Sequence, residues 1–222
     1  LYQHYKKHIS LTDMEILCFA KEFAVGKIKN YISLFHQKYL KGTNLFVREI
    51  ETIIKQIYQT GTVEQVRGFE GITAKKIYQN LNTFIDSEIF HIKKRERTHP
   101  DRINSLLNFG YYLLFSRINA TLRSAGLNPY LGFLHSPDNR YESLGYDILE
   151  LFRARMDRLV IRLINLKIVS GADFLETENG FYLKRESVKK VINQFEIEME
   201  IEKSKNNLSL KESIYVQIMS IK

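Results

Sequence analysis

The scarcity of chain-breaking residues is the feature that most constrains the fold of this chain. Only 11 glycines and 3 prolines occur in 222 residues, and these two residue types supply most tight turns. So few turn formers disfavour an all-β chain and favour long helices. We therefore predict a mainly α fold, with residues 1–222 forming a single helical-bundle domain that carries one short β-hairpin near 174–183. The hairpin is expected because Asn179-Gly180 is a two-residue turn signal, and Phe174–Glu176 and Phe181–Leu183 flank it with strand-like residues.

Residue spacing predicts where several helices begin. Three segments have the Ser/Thr-x-x-Glu/Gln spacing of a capping box, in which two side chains satisfy the free N–H groups of a helix start: Thr12-x-x-Glu15, Thr62-x-x-Gln65 and Ser209-x-x-Glu212. Asp101, Ser187 and Asn44 are predicted to cap three further helices.

Other residues predict where helices end or change. The first helix should run for about 28 residues toward Gly42, and the third should be broken or thinned at Gly68 and Gly71. A polar loop is expected over Ser136–Arg140. The segment 195–202 alternates polar and apolar residues with the period of a strand, but its glutamates, its methionine and its cap favour a helix.

Composition excludes several classes of protein. The chain is 44% apolar, enough for a core, and its longest apolar runs span about five residues, as in Tyr111–Phe115. A membrane-spanning helix needs roughly 20. The one cysteine, Cys18, cannot form an internal disulfide and is typical of a reducing compartment. No Walker loop, Cys/His zinc spacing or G-x-S-x-G elbow is present.

The charge balance indicates a polyanionic partner. Lys and Arg number 33 against 25 acids, giving a net charge of +8, which favours nucleic acid ahead of a membrane surface. Lys93, Lys94, Arg95 and Arg97 accompany a single acid, Glu96. This basic run is interpreted either as a DNA-backbone contact or as a solvated connector. A basic domain without such a partner stays open as well.

Glu70 stands between Gly68 and Gly71 inside a helical stretch. Each glycine destabilises a helix by up to about 1 kcal/mol, so a compensating reason is expected. One reason is the close approach of a backbone, a metal ion or a phosphate to the carboxylate. The other is a simple helix–helix junction.

Asp147 and Glu150 are three residues apart and therefore lie on one face of the next predicted helix. Such a pair requires a cation, which is either a metal ion or the guanidinium of Arg153 or Arg155. His135 follows an apolar run and is either structural or a ligand. Glu70, His135 and Glu150 together form a carboxylate–imidazole–carboxylate set that suits Mg²⁺ or Mn²⁺.

Four motifs in chain order resemble those of the CRISPR-associated endonuclease/integrase family Cas1, and the segment Val25–Asn30 resembles the K-x-x-N element of the same family. The motifs are the G-x-E-G segment Arg67–Tyr78, the N-x-x-L-N-x-G-Y helix Asp101–Leu114, the G-L-N-P-x-x-G-F-x-H segment Gly126–His135, and the Y-D-I-L-E-x-F-R helix Tyr146–Arg153.

The resemblance implies a metal site and its chemistry. It assigns Glu70, His135 and Glu150 as catalytic residues that hold Mg²⁺ or Mn²⁺, with Asp147 as an adjacent acid. Arg67 and Arg153 are interpreted as phosphate clamps, because a guanidinium can bind two oxygens. The implied reaction is spacer integration, in which a DNA 3′-hydroxyl attacks a phosphodiester at the boundary of a CRISPR repeat.

The resemblance also implies partners and a compartment. We expect double-stranded DNA (prespacer and CRISPR repeat), a homodimer, the small Cas2 partner, the prokaryotic cytoplasm and no membrane. The chain begins at Leu1 without Met and without the β-rich N-terminal domain of the family. We therefore expect a part of a longer polypeptide, in which a reverse transcriptase or nuclease domain can be fused.

Two alternatives remain at this point. One is a non-catalytic helical scaffold that binds nucleic acid, and the other is a helix bundle that binds a membrane surface or another protein.

Overall fold

A computed structural model describes residue 6 and residues 10–37, 45–135, 141–201 and 208–221. The elements over these residues are the helices α1 (Asp13–His36), α2 (Leu45–Gln59), α3 (Val63–Leu81), α4 (Arg102–Ser124), α5 (Ser143–Asn165), α6 (Arg185–Glu200) and α7 (Leu210–Ile221), the strands β1 (Phe174–Thr177) and β2 (Gly180–Leu183), and 3₁₀ turns at Asn82–Phe84 and Gly171–Asp173. The predicted mainly α fold with one short hairpin is confirmed.

The chain divides into two compact units. The first comprises Leu1–Ala74, Phe115–Ala154 and Ile214–Lys222, and the second comprises Lys75–Leu114 and Arg155–Ser213. The prediction of one helical domain stays a prediction. Gly42, Asn44 and the Ser136–Arg140 loop lie outside the described residues.

Several predicted helix starts are confirmed. The Thr12 hydroxyl accepts a hydrogen bond from the Glu15 N–H, and the Glu15 carboxylate accepts one from the Thr12 N–H. Ser209 and Glu212 form the same reciprocal pair before α7. Before α4, Asp101 Oδ1 accepts the N–H of residue 104 at 2.8 Å.

Two predicted starts differ from the structure. Thr62 accepts the Gln65 N–H, but the Gln65 side chain accepts the Gly61 N–H instead of closing the box. Ser187 does not cap α6, which begins at Arg185; its hydroxyl instead donates to the buried Asp173 carboxylate at 2.6 Å. The prediction was wrong because a long-range acceptor competes with the local cap.

Helix α3 runs unbroken through Gly68 and Gly71, contrary to the predicted break. A Cβ at either glycine would meet no atom within 4 Å. A helix can absorb the conformational cost of two glycines when the rest of its buried face is packed. Since no atom of the described residues comes that close, tight packing against another helix does not account for the two glycines.

The second unit contains the hairpin and helix α6. Phe174 pairs with Leu183 and Thr177 with Gly180, whose φ of 109° is favourable only for glycine. The segment 195–200 is helical, as predicted. Within it the buried Glu198 carboxylate lies between 3.1 and 3.5 Å from three guanidinium groups of α5, those of Arg155, Arg158 and Arg162.

The first unit packs α1 closely against α5. The buried face of α1 contains Phe23, Ala24, Ile28 and Tyr31. A Cβ at Gly26 would lie 2.6 Å from Leu151 Cδ2, so the absence of a side chain there permits the close approach. No helix in the described part of the chain is long and apolar enough to cross a membrane.

Candidate functional site

Glu70 and Glu150 share one cation in the first unit, the ammonium group of Lys27. Lys27 Nζ donates to Glu70 Oε1 and lies 2.6 Å from Glu150 Oε2. Lys27 is 2% exposed and Glu150 4%, whereas Glu70 is 20% exposed. Residues from three helices therefore meet at one buried charge, with the Glu70 side open to solvent.

Lys27 reaches this position because it lies on the buried face of α1. The close approach at Gly26 brings α1 near the turn of α5 that carries Glu150. Asn30, one turn further along α1, donates from Nδ2 to the Leu151 carbonyl at 2.6 Å. The two polar residues of the K-x-x-N element thus both contact the segment around Glu150.

Glu150 remains ionised despite its burial. Burial alone raises the pKa of a carboxyl group, but the positive charges of Arg153 and Lys27 outweigh it and hold the pKa of Glu150 well below its usual range. Arg153 Nη1 lies 3.3 Å from Glu150 Oε1. The ion pair considered for Glu150 is therefore present on one oxygen, whereas Arg155 pairs with Glu198 instead.

Asp147 binds His135 and does not face the same cation as Glu150. His135 Nδ1 lies 2.7 Å from Asp147 Oδ1. The same carboxylate accepts the backbone N–H groups of Phe133, Leu134 and His135 at 2.5, 3.0 and 2.9 Å. Because an ionised carboxylate only accepts, the neutral imidazole carries its proton on Nδ1 and its lone pair on Nε2.

The loop that carries His135 is fixed to the start of α5. The Ser143 hydroxyl donates to the Tyr130 carbonyl at 2.6 Å and accepts the Gly132 N–H at 2.9 Å. A Cβ at Gly132 would lie 2.8 Å from the backbone atoms of both His135 and Ser143. Only glycine fits there, which explains the glycine of the G-F-x-H element.

The metal ligands predicted from sequence do not form a ready metal site. In the described residues, no three His, Cys, Asp or Glu side chains come together in a way that could hold an ion. The Lys27 ammonium lies between Glu70 and Glu150, and His135 is bound to Asp147 instead. The donor set nevertheless suits a hard divalent ion, and the two carboxylates already share one cation here.

The two predicted phosphate clamps have different surroundings. Arg67 pairs with Glu64 at 3.2 Å, is 38% exposed, and keeps a buried Nε without a hydrogen-bond partner. It lies one turn before Glu70 on α3. Arg153 is 11% exposed and pairs with Glu150. Of the two, Arg67 is the one that the structure leaves accessible to a phosphate.

The basic run in the second unit is not uniform. Arg95 donates to Asn104 at 2.7 Å and Asn108 at 2.6 Å, and its guanidinium lies over the Tyr111 ring. This guanidinium therefore makes contacts within the fold, and its predicted DNA-binding role stays a prediction. Lys93, Lys94 and Arg97 are exposed, and Lys94 pairs with Glu96 at 3.1 Å.

Sequence reasoning missed the role of Lys27 and of Ser143. Lys27 had a detectable signal, because a lysine among the buried positions of an amphipathic helix needs an acidic partner. Ser143 had none beyond its place at a helix start. The partners of both residues depend on tertiary structure.

The fold and the site define a mainly helical protein in which a buried lysine joins two acids of different helices, and in which a third acid holds a histidine. The chain belongs to the family described as CRISPR associated protein Cas1, whose family model matches residues 3–197.

Curated relatives carry the same name. The chain is 33% identical over 206 residues to a CRISPR-associated endonuclease Cas1 of Leptospira interrogans, covering 87% of this chain and 80% of that protein. It is 32% identical over 186 residues to one of Clostridium perfringens, covering 79% of this chain and 56% of that protein. The chain thus spans about half the length of several curated relatives.

Solved structures share the fold. A CAS1 protein from Thermotoga maritima matches with a TM-score of 0.88 and 22% identity, over 99% of this chain and 68% of that one. A casposase bound to integration product matches with a TM-score of 0.86 and 24% identity, over 99% of this chain and 66% of that one. A chain of a Cas6-RT-Cas1–Cas2 complex matches with a TM-score of 0.80 and 23% identity, over 92% of this chain and 23% of that one.

Proposed function

We propose that this chain is the catalytic helical part of a metal-dependent DNA integrase/endonuclease that inserts spacer DNA into a CRISPR array. The reaction is a transesterification in which a DNA 3′-hydroxyl attacks a phosphodiester at the repeat boundary and displaces a new 3′-hydroxyl. Glu70, His135 and Glu150 would hold Mg²⁺ or Mn²⁺. Family membership and the names of the curated relatives support the nuclease class.

The observation that carries the proposal is the shared cation of Glu70 and Glu150. Two carboxylates from different helices converge on one positive charge, and Glu150 is only 4% exposed there. A second acid and a histidine oriented by Asp147 are what a divalent ion requires.

The residues of this chain have separable roles in such a reaction. A bound divalent ion supplies charge stabilisation to the pentacovalent phosphate. Asp147 fixes the tautomer of His135 and leaves the lone pair of Nε2 for an ion. Arg67 lies one turn before Glu70 and is 38% exposed, so the exposed part of its guanidinium would bind a non-bridging phosphate oxygen.

The surface next to Glu70 suits a nucleic-acid backbone. Gly68 and Gly71 are exposed and have open space above them. Without side chains there, a sugar–phosphate strand can approach α3 closely, which is the compensating reason expected for two helix-weakening residues. Lys93, Lys94 and Arg97 would contribute sequence-independent affinity from the second unit.

The partners are proposed from the relatives. Neighbouring folds were solved as a casposase bound to integration product and as a Cas6-RT-Cas1–Cas2 complex. By this likeness we propose double-stranded DNA, a second copy of the chain and Cas2 as partners, with a fused reverse transcriptase or nuclease domain as a compatible arrangement.

The test is strand transfer by the full-length protein with Cas2 and Mn²⁺. His135→Ala should lower the rate by about 100-fold or more, because loss of a ligand removes several kcal/mol of transition-state stabilisation. DNA affinity should change less than about twofold. His99→Ala, an exposed histidine of the second unit, is the matched control.

Near-normal integration by His135→Ala would contradict the proposal. The scaffold alternative makes a different prediction: DNA binding without any cleavage or strand transfer, and no effect of EDTA. The Lys27 contacts alone are compatible with a scaffold, so the activity measurement separates the two functions.

A further inference from the structure

We propose that Lys27 is an internal cation that holds Glu70 and Glu150 together in the ion-free protein and is displaced from between them when a divalent ion binds. This inference rests on the metal site proposed above and assigns Lys27 as a positioning residue. Divalent-ion binding would then be an exchange of one cation for another.

The contacts of Lys27 define the position that is exchanged. Its Nζ donates to Glu70 Oε1 and lies 2.6 Å from Glu150 Oε2. An ion bound by both carboxylates has to approach the same oxygens. The ammonium and the ion therefore compete for one place.

Burial explains why the ammonium occupies this place in the absence of an ion. Lys27 is 2% exposed and Glu150 is 4% exposed, and an unpaired buried charge is strongly unfavourable. Without Lys27, Glu70 and Glu150 would repel each other. With it, the two acids stay preorganised at the separation that one cation can bridge.

The geometry also permits the exchange. A divalent ion carries twice the charge of an ammonium, so its attraction to the same carboxylates is stronger. The four-carbon stem of lysine lets the ammonium move while α1 stays fixed, and Gly26 and Asn30 anchor the backbone of α1 to the Leu151 segment. The exposed side of Glu70 offers a direction of movement toward the open surface at Gly71.

A calorimetric titration of full-length protein with Mn²⁺ tests the exchange. Lys27→Met should bind Mn²⁺ about tenfold more tightly than the wild type, because no cation has to leave. Arg153→Met is the matched control, since it removes an equal charge from Glu150 but from the other oxygen. Lys29→Met removes an exposed ammonium from the same helix and should change the Kd less than about twofold.

The outcomes are distinguishable. If Lys27→Met increases the affinity for Mn²⁺ no more than Arg153→Met does, the exchange is overturned and the metal site stands. A wild-type protein that binds Mn²⁺ no better than Glu70→Gln would overturn the metal site, and this inference with it.

A measurement on the wild type covers the case in which Lys27→Met does not fold. Lysine acetylation by acetic anhydride is followed by mass spectrometry with and without saturating Mn²⁺. Labelling of Lys27, relative to Lys29, should rise by about threefold or more as the buried ion pair opens. Unchanged relative labelling, with Mn²⁺ binding verified by calorimetry, would overturn the exchange.

Discussion

His135 Nδ1 lies 2.7 Å from Asp147 Oδ1, and this same carboxylate accepts the three N–H groups of residues 133–135. One side chain of α5 therefore fixes both the direction of the imidazole and the backbone of the loop that carries it. Of the two acids that sequence placed on one helix face, only Glu150 contacts Lys27.

Replacing Asp147 by Asn should weaken both the fold and metal binding at the proposed site. The amide retains one acceptor, so some buried N–H groups lose their partner, at a cost of about 2 kcal/mol in the free energy of unfolding. Loss of the bond to Nδ1 should weaken Mn²⁺ binding by about 10- to 100-fold. Urea denaturation and calorimetry measure the two effects.

The matched control for Asp147 is Asp86→Asn, which changes an exposed carboxylate of the second unit. It should leave both quantities unchanged. If Asp147→Asn binds Mn²⁺ as the wild type does, the orientation of His135 is not set by this carboxylate.

Gly132→Ala should destabilise the protein by about 1–3 kcal/mol, because its Cβ would meet backbone atoms that no rotamer change can move. Gly71→Ala should instead stabilise it by about 0.5–1 kcal/mol, because its Cβ enters open space in a helix. Thermal unfolding measures both. A destabilised Gly71→Ala protein would contradict the open surface above α3.

The same Gly71→Ala protein tests the proposed DNA path. If a strand passes over Gly71, the added methyl group should lower DNA affinity or strand transfer while stability rises. A Gly71→Ala protein that is more stable and fully active would show that the DNA strand does not pass over Gly71.

Replacing Lys93, Lys94 and Arg97 together by Ala should reduce the dependence of DNA affinity on salt. For duplex DNA, the slope of log K against log salt becomes shallower by about 0.9 for each phosphate that the protein no longer neutralises. Fluorescence anisotropy at several salt concentrations measures the slope. An unchanged slope would identify the run as a solvated connector.

Arg95→Ala is the contrasting variant of the same run. Its guanidinium binds Asn104 and Asn108, so we expect a loss of stability of about 1–3 kcal/mol and little change of the slope. If Arg95→Ala is as stable as the wild type but its DNA affinity depends less on salt, Arg95 contacts DNA.

The stability of the second unit should fall in acid partly through Asp173. Burial raises the pKa of Asp173, but hydrogen bonds from Lys190, Ser187 and Ser170 outweigh it, so its pKa lies well below the usual value of 3.8. The folded pKa is below the unfolded one, so this stabilisation is complete above about pH 5 and is lost as the pH falls through 3.8 toward the folded value.

Asp173→Asn should therefore be less stable than the wild type at pH 7, by about 2 kcal/mol, and this difference should shrink between pH 5 and about pH 2. Urea denaturation across this range measures it. A constant difference would mean that the charge of Asp173 contributes nothing.

Sequence patterns predicted the helices well where the signal is local. The Thr12 and Ser209 caps, the hairpin and the helix through Phe195 need only neighbouring residues, and all are confirmed. The hairpin turn lies one residue earlier than predicted, at Glu178 and Asn179, because Gly180 already pairs with Thr177. The predictions for Ser187 and Gly68 were wrong because tertiary structure outweighed a local preference. For Ser187 the cause is a distant hydrogen-bond acceptor, and for Gly68 it is a well-packed helix face.

In the candidate site, the sequence predicted some residues but not the contacts between them. Glu70, His135 and Glu150 came from the resemblance and from their residue types, and Glu70 and Glu150 do meet at one cation. The cation itself could not be predicted, because Lys27 lies 43 residues from Glu70 along the chain and the pairing depends on how α1 packs. Likewise, the local charge of Arg95 carried no information about its contact with Tyr111.

The four hydrogen bonds received by Asp147 make the assembly of this loop an all-or-none event. A motion that frees the imidazole also leaves three neighbouring N–H groups without an acceptor, so a partly open loop is energetically unfavourable. The loop should then populate two states, one with His135 aligned and one with the whole segment 133–135 released, and the amide protons of these residues should exchange with solvent at a common rate. The alignment of His135 would accordingly be gained and lost together with the backbone of its loop.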